Sequence, residues 1–401
     1  MILSLRVALL ALFALFAAPV LAQDAQPPVT ILVSIDAFRA DYLDRGLTPN
    51  LRALAANGIQ ATLRPSFPTK TFPNHYTMAT GLRPDRNGIV SNKMEDAARP
   101  GILFTTKAAD DPFWWDQAEP IWVAAEKAGL RSATLFYPGS WVAYRGTLPH
   151  EFSRYDEAVK DEQRVTTVID WLHRPAATRP RFIALYLDTI DHAGHKAGPD
   201  TPELNAALGA IDAQIARLRA AIAALGLPAN VVIVSDHGMA AIAPERILWL
   251  HDIADPADYR LIEDGSVAMI APRPGRDKAL AASLLRPHPH MDCRRKTHLP
   301  ARYHYGRNPR VTPFVCVAQV GWVVMDVLPK WGLDKGTHGY DNRAPEMQGI
   351  FLAEGPAIRP LGMLPPFDNV DVYPLLRDLL GLPPKYGIDG TDAPFRRALS
   401  R

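Results

Sequence analysis

The stretch that decides the fold is Thr30-Ile-Leu-Val-Ser-Ile35, an apolar run rich in β-branched residues that ends at Asp36. Two later runs have the same form, Arg181-Phe-Ile-Ala-Leu-Tyr-Leu187 and Val231-Val-Ile-Val234. Continuous apolar runs, unlike alternating ones, indicate strands that are buried on both faces, as in a parallel sheet covered by helices. An aspartate follows each run within a few residues, so acidic groups recur at the ends of the predicted strands.

Segments with helical spacing lie between these runs. They extend from Thr48 to Asn57, from Glu119 to Ala128, from Glu162 to Leu172 and from Thr201 to Leu225. Because strands and helices alternate along the chain, we predict an α/β fold with a mostly parallel sheet covered by helices. The pattern weakens between about 245 and 335, where Pro, Arg and His are frequent. We interpret that stretch as a small subdomain inserted into one domain that spans 23–401.

The N-terminus has the composition of a secretory signal peptide, which we assign to residues 1–22. Arg6 supplies a positive charge, an apolar run follows, and small residues lie near a cleavage point. The apolar run is too short to span a membrane and Pro19 interrupts it. We therefore expect a secreted protein without a membrane span after cleavage, with the periplasm as its compartment.

The net charge bears on the possible partners of the chain, and the cysteines bear on a possible disulfide. The formal net charge is +2, which gives no argument for a partner such as a nucleic-acid duplex. Cys293 and Cys316 are the two cysteines of the chain. In an oxidising compartment they could form one disulfide or remain two buried thiols, and their spacing leaves both alternatives open.

Carboxylate and imidazole side chains lie after the predicted strands or in nearby loops. They are Asp36, Asp191, His195, Asp236, His237 and His338. Asp and His are the usual non-thiolate ligands of zinc, and ligands gather at the carboxyl ends of strands in open α/β sheets. Each residue or pair alone is a weak signal, but the whole set predicts two neighbouring zinc ions.

Thr71 precedes a predicted helix and is the candidate nucleophile between these ions. A hydroxyl is a poor nucleophile near neutral pH unless a metal lowers its pKa. A helix N-terminus also favours negative charge beside it. Taken alone, an N-cap role would be the better explanation for a threonine at this position.

In chain order, eight segments resemble the nucleotide pyrophosphatase/phosphodiesterase family of the alkaline phosphatase superfamily. The resemblance extends over nearly the whole mature chain. The segments are Ser34 to Tyr42, Pro68 to Tyr76, Thr80 to Pro84, Gly88 to Val90, Glu119 to Trp122, Asp191 to His195, Ser235 to Met239 and Gly336 to Asn342.

The resemblance implies a division of the ligands between two Zn²⁺ ions per chain. One ion would be held by Asp191, His195 and His338. The other would be held by Asp36, Asp236 and His237, with Thr71 as its nucleophilic ligand. In such enzymes the threonine attacks phosphorus and forms a covalent threonyl-phosphate, which water then hydrolyses.

The resemblance also implies how a substrate would bind. Asn92 and the backbone N–H of Phe72 would bind a phosphate oxygen. The rings of Phe72 and Tyr155 match positions that hold a nucleobase in members of the family that hydrolyse nucleotides. The expected substrates are small phosphodiesters or pyrophosphates of nucleotides, with release of nucleoside 5′-monophosphates.

Two alternatives use the same site. Trp141 stands where many relatives have a glutamate, which leaves open a phospholipid- or choline-type phosphodiesterase. A phosphomonoesterase would need an additional cation near Thr71. Lys70 is adjacent in sequence, but we expect it to be solvated. We expect His75, one turn past Thr71, to be a packed helix residue.

Overall fold

The computed structural model describes residues 27–400. The predicted signal peptide at residues 1–22 lies outside this range. Within it, no helix combines the length and the apolar character needed to cross a membrane.

The strands are numbered here in chain order. They are β1 Val29–Ile35, β2 Ile59–Arg64, β3 Lys93–Glu95, β4 Leu103–Thr105, β5 Ser132–Leu135, β6 Glu151–Ser153, β7 Phe182–Leu187, β8 Ala229–Val234, β9 Ala240–Ala241, β10 Ile247–Trp249, β11 Tyr259–Glu263, β12 Val267–Pro272, β13 Met291–Arg295, β14 Phe314–Ala318, β15 Val323–Met325, β16 Gly336–Thr337, β17 Gly349–Glu354, β18 Gly362–Met363 and β19 Phe367–Asp368.

The central sheet has nine strands in the order β18-β2-β17-β8-β1-β7-β5-β6, and β19 also pairs with β2. Neighbouring strands from β8 to β6 are parallel. Strand β17 is antiparallel to both β8 and β2. Every residue of β1, β7 and β8 is buried, as continuous apolar runs predict. The predicted mostly parallel sheet is therefore confirmed, with β17 as an antiparallel strand that the apolar runs did not indicate.

Helices cover both faces of this sheet. The α-helices within residues 27–400 are Pro49–Ala56, Thr71–Thr80, Pro84–Asn87, Ile121–Lys127, Asp161–His173, Thr189–Ala197, Pro202–Ala224, Leu250–Ile253, Asp277–Leu284 and Val372–Leu379. Alternate residues of β1 enter different cores, because Ile31 and Val33 pack in one hydrophobic cluster and Leu32 packs in the other. The four helices predicted from spacing are all present, with ends that differ by one or two residues.

A separate antiparallel sheet lies within the segment where the helical pattern weakens. Its four strands have the order β11-β12-β14-β13. Cys293 and Cys316 face each other on β13 and β14, and a disulfide joins them. The alternative of two free thiols is therefore excluded in this structure. We call residues 259–318 the inserted sheet, while the domain limits given above stay a prediction.

Candidate active site

Three of the candidate ligands form one compact group, which we call the inner cluster: Asp36, Asp236 and His237. All three side chains are buried. The Nε2 atom of His237 lies 3.3 Å from Asp36 Oδ1 and 3.0 Å from Asp236 Oδ2. Strands β1 and β8 are hydrogen-bonded neighbours, and their ends position these residues. The structure thus brings together the residues assigned to one ion.

The other three candidates form a second group, which we call the outer cluster: Asp191, His195 and His338. Asp191 and His195 lie one turn apart in the helix Thr189–Ala197, and Nε2 of His195 is 3.4 Å from Asp191 Oδ1. His338 follows β16 and its Nε2 is 3.8 Å from the same oxygen. Residues four apart in a helix lie on the same side of it, so Asp191 and His195 face the same point.

The two clusters adjoin each other. The rings of His237 and His338 are stacked, with centroids 3.6 Å apart. Thr71 is the first residue of the helix Thr71–Thr80, and its Oγ1 is 3.3 Å from Nε2 of His237. A hydroxyl at a helix N-terminus consequently lies beside the inner cluster, where the helix dipole favours negative charge.

The three histidines are oriented in the same way. The Nδ1 atoms of His195, His237 and His338 each lie 2.9 Å from a backbone carbonyl oxygen, which belongs to Gly336, Gly238 and Thr69, respectively. A carbonyl oxygen accepts but cannot donate, so this network assigns the proton of each neutral ring to Nδ1. Each Nε2 then presents a lone pair toward its cluster, which is the usual arrangement of metal-binding histidines.

One carboxylate oxygen in each of four aspartates is buried and accepts no hydrogen bond from any residue in the described range. One of them, Asp161 Oδ1, lies 3.6 Å from a guanidinium nitrogen of Arg164. The other three are Asp36 Oδ1, Asp191 Oδ1 and Asp236 Oδ2, and a buried polar atom without a partner is unfavourable and requires an explanation. Because these three belong to the clusters, the donor set fits a metal ion in each.

The electrostatics of the clusters agree with this interpretation. Burial and the nearby carboxylates of Asp236 and Asp191 raise the pKa of Asp36 well above its usual range. Burial also lowers the pKa of His338 well below its usual range, and the neighbouring imidazoles of His237 and His195 lower it further. Burial alone would raise the pKa of Asp236, but the imidazoles of His237 and His75 lower it well below its usual range. A cation bound among these groups would favour ionised carboxylates and neutral imidazoles, which are the forms that bind a metal.

Supporting groups hold the inner cluster in place. The hydroxyl of Tyr186 donates to Asp36 Oδ2 at 2.5 Å, and the backbone N–H of Ala37 donates to Asp236 Oδ1 at 3.3 Å. Ala37 has φ of 57°, a left-handed conformation that is costly for a residue with a side chain and that clusters at functional sites. Tyr186 was not among the predicted site residues, although a tyrosine hydroxyl in a buried apolar strand usually needs a hydrogen-bond partner.

A cavity of about 650 Å³ opens onto both clusters. Phe72, Trp141 and Tyr155 contribute aromatic rings to its wall, and Asn92 lies there too. The Phe72 and Trp141 rings meet edge to face with centroids 6.4 Å apart. The hydroxyl of Tyr155 donates to Asp188 Oδ2 at 2.6 Å, which positions this loop residue. The structure therefore places the predicted base-binding rings in one cavity with Thr71.

Asn92 and Phe72, the predicted phosphate-binding pair, are in direct contact. The backbone N–H of Phe72 donates to Asn92 Oδ1 at 3.0 Å. The two groups therefore lie at one point beside Thr71. In this structure the Phe72 N–H is engaged by Asn92, so a phosphate oxygen would have to take over that hydrogen bond.

One expectation about the neighbourhood of Thr71 was wrong. Lys70 is not solvated, because it is 8% exposed and its Nζ lies 2.9 Å from Glu263 Oε1. His75 is a packed helix residue, as predicted. Its ring also touches the site, with Nδ1 2.8 Å from the Thr71 carbonyl oxygen and 3.3 Å from Asp236 Oδ2. Neither contact to a carboxylate was predicted, since the partners Asp236 and Glu263 are distant in sequence.

Comparison with known proteins agrees with this geometry. Residues 30–341 match the family model described as type I phosphodiesterase / nucleotide pyrophosphatase. The chain is 38% identical over 364 residues to bis(5′-adenosyl)-triphosphatase enpp4 of Xenopus laevis, covering 90% of this chain and 79% of that protein. It is 35% identical to ectonucleotide pyrophosphatase/phosphodiesterase family member 3 of Bos taurus over 89% of this chain but 42% of that longer protein.

Solved structures of murine ectonucleotide pyrophosphatase/phosphodiesterase 5 are also similar. An inactive variant in complex with AMP superposes with a TM-score of 0.88 at 32% identity, covering 93% of this chain and all of that one. Fold and site together define a hydrolase of the alkaline phosphatase superfamily. More narrowly, the chain belongs to the type I phosphodiesterase / nucleotide pyrophosphatase family.

Proposed function

We propose that this chain is a secreted two-zinc enzyme that cleaves phosphodiester or pyrophosphate bonds of nucleotides through Thr71. The observation that carries the proposal is the position of Thr71 Oγ1, 3.3 Å from the Nε2 of an inner-cluster histidine. The outer cluster adjoins the inner one through stacked imidazoles. The signal-peptide assignment and the periplasmic location remain predictions, because they depend on residues 1–22.

Each cluster would hold one ion through the carboxylate and imidazole atoms described above. Zinc would lower the pKa of the threonine hydroxyl and of a water, and would stabilise negative charge on the reacting oxygens. Thr71 Oγ attacks phosphorus, the bond from phosphorus to the leaving oxygen breaks, and the nucleotidyl group remains on Thr71. Water then cleaves the bond between Thr71 and phosphorus, which releases a nucleoside 5′-monophosphate and restores the hydroxyl.

Two groups of the chain can bind the charge that develops on the phosphate. The helix Thr71–Thr80 points its N-terminal backbone N–H groups toward the phosphate position. Asn92 lies against the first of these donors. A preorganised donor of this kind typically contributes a factor of about 100 to 1,000 to kcat.

The charges near Thr71 favour a diester over a monoester. A monoester dianion carries an additional negative charge that a nearby cation would have to bind. Lys70 is paired with buried Glu263, and Arg39 is paired with Asp41 and Asp200. Both cations are therefore already engaged. The cavity wall also carries Lys107 and Arg154, and Arg154 is paired with Asp110.

A nucleotide suits the rest of the cavity. Aromatic rings on its wall can stack on a base, which is worth about 1–3 kcal/mol per base. The related enzyme from Xenopus laevis is named a bis(5′-adenosyl)-triphosphatase, and the similar murine structure holds AMP. We therefore propose that nucleotides with a phosphoanhydride, such as diadenosine triphosphate, are among the substrates of this chain.

The test compares four substrates under one set of conditions. These are p-nitrophenyl thymidine 5′-monophosphate, p-nitrophenyl phosphate, diadenosine triphosphate and glycerophosphocholine, each with zinc and with a chelator. We expect chelator-sensitive hydrolysis of the two nucleotide substrates. Preferential turnover of p-nitrophenyl phosphate would indicate a phosphatase, and preferential turnover of glycerophosphocholine would indicate the choline-type alternative.

The Thr71→Ala variant tests the nucleophile. We expect it to keep its metal content and lose about 1,000-fold or more in kcat, since the displacement then lacks its attacking atom. The Thr71→Ser variant is the matched control, because it retains a hydroxyl and should keep measurable activity. Unaltered rates in Thr71→Ala would contradict the mechanism.

A further inference from the structure

Glu263 is a buried acid of the inserted sheet that contacts both segments carrying the proposed phosphate-binding groups. It is the last residue of β11 and is 4% exposed. The register of β11 against β12 shifts between Leu261 and Glu263. Irregularities of this kind re-aim a side chain. Glu263 thus enters the site from a part of the chain that supplies none of the cluster residues.

One carboxylate oxygen of Glu263 contacts the segment that carries the nucleophile. Its Oε1 lies 2.9 Å from Nζ of Lys70, the residue before Thr71. Lys70 is also the residue that precedes the helix Thr71–Thr80, and its carbonyl oxygen accepts the N–H of Asn74 at 3.1 Å. The ion pair therefore fixes the chain at the point where Thr71 begins its helix.

The other oxygen holds the segment around Asn92. Glu263 Oε2 accepts a hydrogen bond from the hydroxyl of Ser91. It also accepts the backbone N–H of Lys93 at 3.4 Å. The two donors flank Asn92 on either side, so their shared acceptor limits the movement of the residue between them.

We infer that Glu263 is a positioning residue that sets the distance between Thr71 and Asn92. A single rigid carboxylate connects the nucleophile segment to the phosphate-binding segment, and it neutralises a buried lysine that would otherwise attract phosphate. Displacement of about 1 Å in a reacting arrangement can reduce the rate by about 100-fold. This inference rests on the roles proposed above for Thr71 and Asn92.

The Glu263→Gln variant tests the inference in the full-length, zinc-loaded protein. Gln presents one acceptor oxygen in place of two, so it cannot bind Lys70 and the Ser91–Lys93 segment equally well. We expect kcat for p-nitrophenyl thymidine 5′-monophosphate to fall by about 10- to 100-fold, with a smaller change in KM. Metal content should be unchanged, since Glu263 is outside both clusters.

Asp264→Asn is the matched control. Asp264 is the next residue, and its Oδ1 accepts a hydrogen bond from Nζ of Lys93 at 3.1 Å. This exposed pair joins two side chains and does not involve the backbone of Lys93. We expect wild-type kinetics from this variant, because exposed pairs contribute little and neither Thr71 nor Asn92 depends on it. Equal kinetics in Glu263→Gln, Asp264→Asn and wild type would overturn the inference.

A double-mutant cycle separates positioning from general loss of folding. If Glu263 acts through Asn92, Glu263→Gln should have little further effect on kcat in an Asn92→Ala background. Independent effects that multiply would overturn the inference, as would a kcat loss accounted for by a lower folded fraction in thermal unfolding. Should Glu263→Gln fail to fold, Ser91→Ala serves in the same cycle, because it removes one hydrogen bond and keeps the ion pair. An active Thr71→Ala variant would instead refute the proposed function itself.

Discussion

In the inner cluster all three side chains are buried, whereas the outer cluster reaches solvent. There the side chain of His195 is 27% exposed and that of Asp191 is 13% exposed. The two clusters also differ in the secondary-structure elements that carry their residues. Asp36 and Asp236 follow two neighbouring strands of the central sheet. The outer residues come from a helix and from a loop after a two-residue strand.

The central sheet thus determines the geometry of the inner cluster, and the segments around the sheet determine the geometry of the outer cluster. The inner cluster inherits its geometry from backbone hydrogen bonds between buried strands, and Thr71 lies beside it. The outer cluster depends on how the helix Thr189–Ala197 packs against the His338 loop. A Cβ atom added to Gly336 would lie 2.4 Å from the Gly194 carbonyl oxygen, so that packing is close. We therefore expect changes in the inner cluster to have the larger effects.

The largest difference should appear when one histidine of each cluster is removed. His237→Ala is expected to reduce kcat/KM by about 1,000-fold, because this imidazole adjoins both inner carboxylates and Thr71 Oγ1. His195→Ala, at the exposed edge, is expected to reduce it by about 10- to 100-fold. Steady-state hydrolysis of p-nitrophenyl thymidine 5′-monophosphate and metal analysis of each variant provide the comparison.

Lys196→Ala is the control for that pair. Lys196 is exposed and lies in the same helix as His195, outside both clusters and outside the lining of the cavity. Its removal should leave activity and metal content unchanged. Equal losses in His237→Ala and His195→Ala would show that burial does not rank the two clusters.

A smaller difference is expected when a supporting group is removed and the cluster residues are kept. Tyr186→Phe deletes the hydroxyl that donates to Asp36 Oδ2 and keeps the ring. We expect a loss of about 10-fold or more in activity or metal affinity, as for other partners of metal-binding groups. Asp334→Asn alters the exposed carboxylate 3.4 Å from His195 Nδ1 and should have a weaker effect.

The measurement is a zinc titration of each metal-free variant, followed by assay at saturating zinc. Zinc binding separates a loss of metal affinity from a loss of rate. A stronger effect of Asp334→Asn than of Tyr186→Phe would reverse the ranking of the two clusters.

The smallest expected effect concerns the rate at which metal leaves the protein. Because the outer cluster is partly exposed, a chelator should remove one ion per chain several-fold faster than the other. Metal content followed over time should therefore fall in two phases, and the faster phase should be absent in His195→Ala. A single phase that removes both ions together would contradict the difference in accessibility.

Sequence reasoning predicted the sheet and the inner cluster well for a physical reason. Strands buried on both faces appear as continuous apolar runs, and the structure places β1, β7 and β8 within two residues of those runs. A residue that directly follows such a strand must lie at the carboxyl edge of the sheet. For Asp36 and Asp236, position along the chain therefore translated into position in space.

The same reasoning failed where a partner lies far away in sequence. Lys70 was expected in solvent, but it is separated by 193 positions from the acid that it contacts. His75 is packed as expected, but the contact between its ring and Asp236 was not predicted. The spacing of apolar residues in a helix indicates which side of the helix is buried. It does not indicate which polar group from another segment packs against that side. Lys70 and Glu263 could be paired only after the inserted sheet was placed.

The alignment of β1 with β8 has a consequence for how this site tolerates change along the chain. Ser34 lies opposite Val234, and Asp36 and Asp236 follow them by the same number of residues. A slip of one residue between the strands would turn buried side chains toward the opposite face and would separate the two carboxylates. Activity therefore depends on the alignment of these two strands. Insertions or deletions within β1 or β8 should abolish activity, whereas changes in the length of the exposed loops should be tolerated.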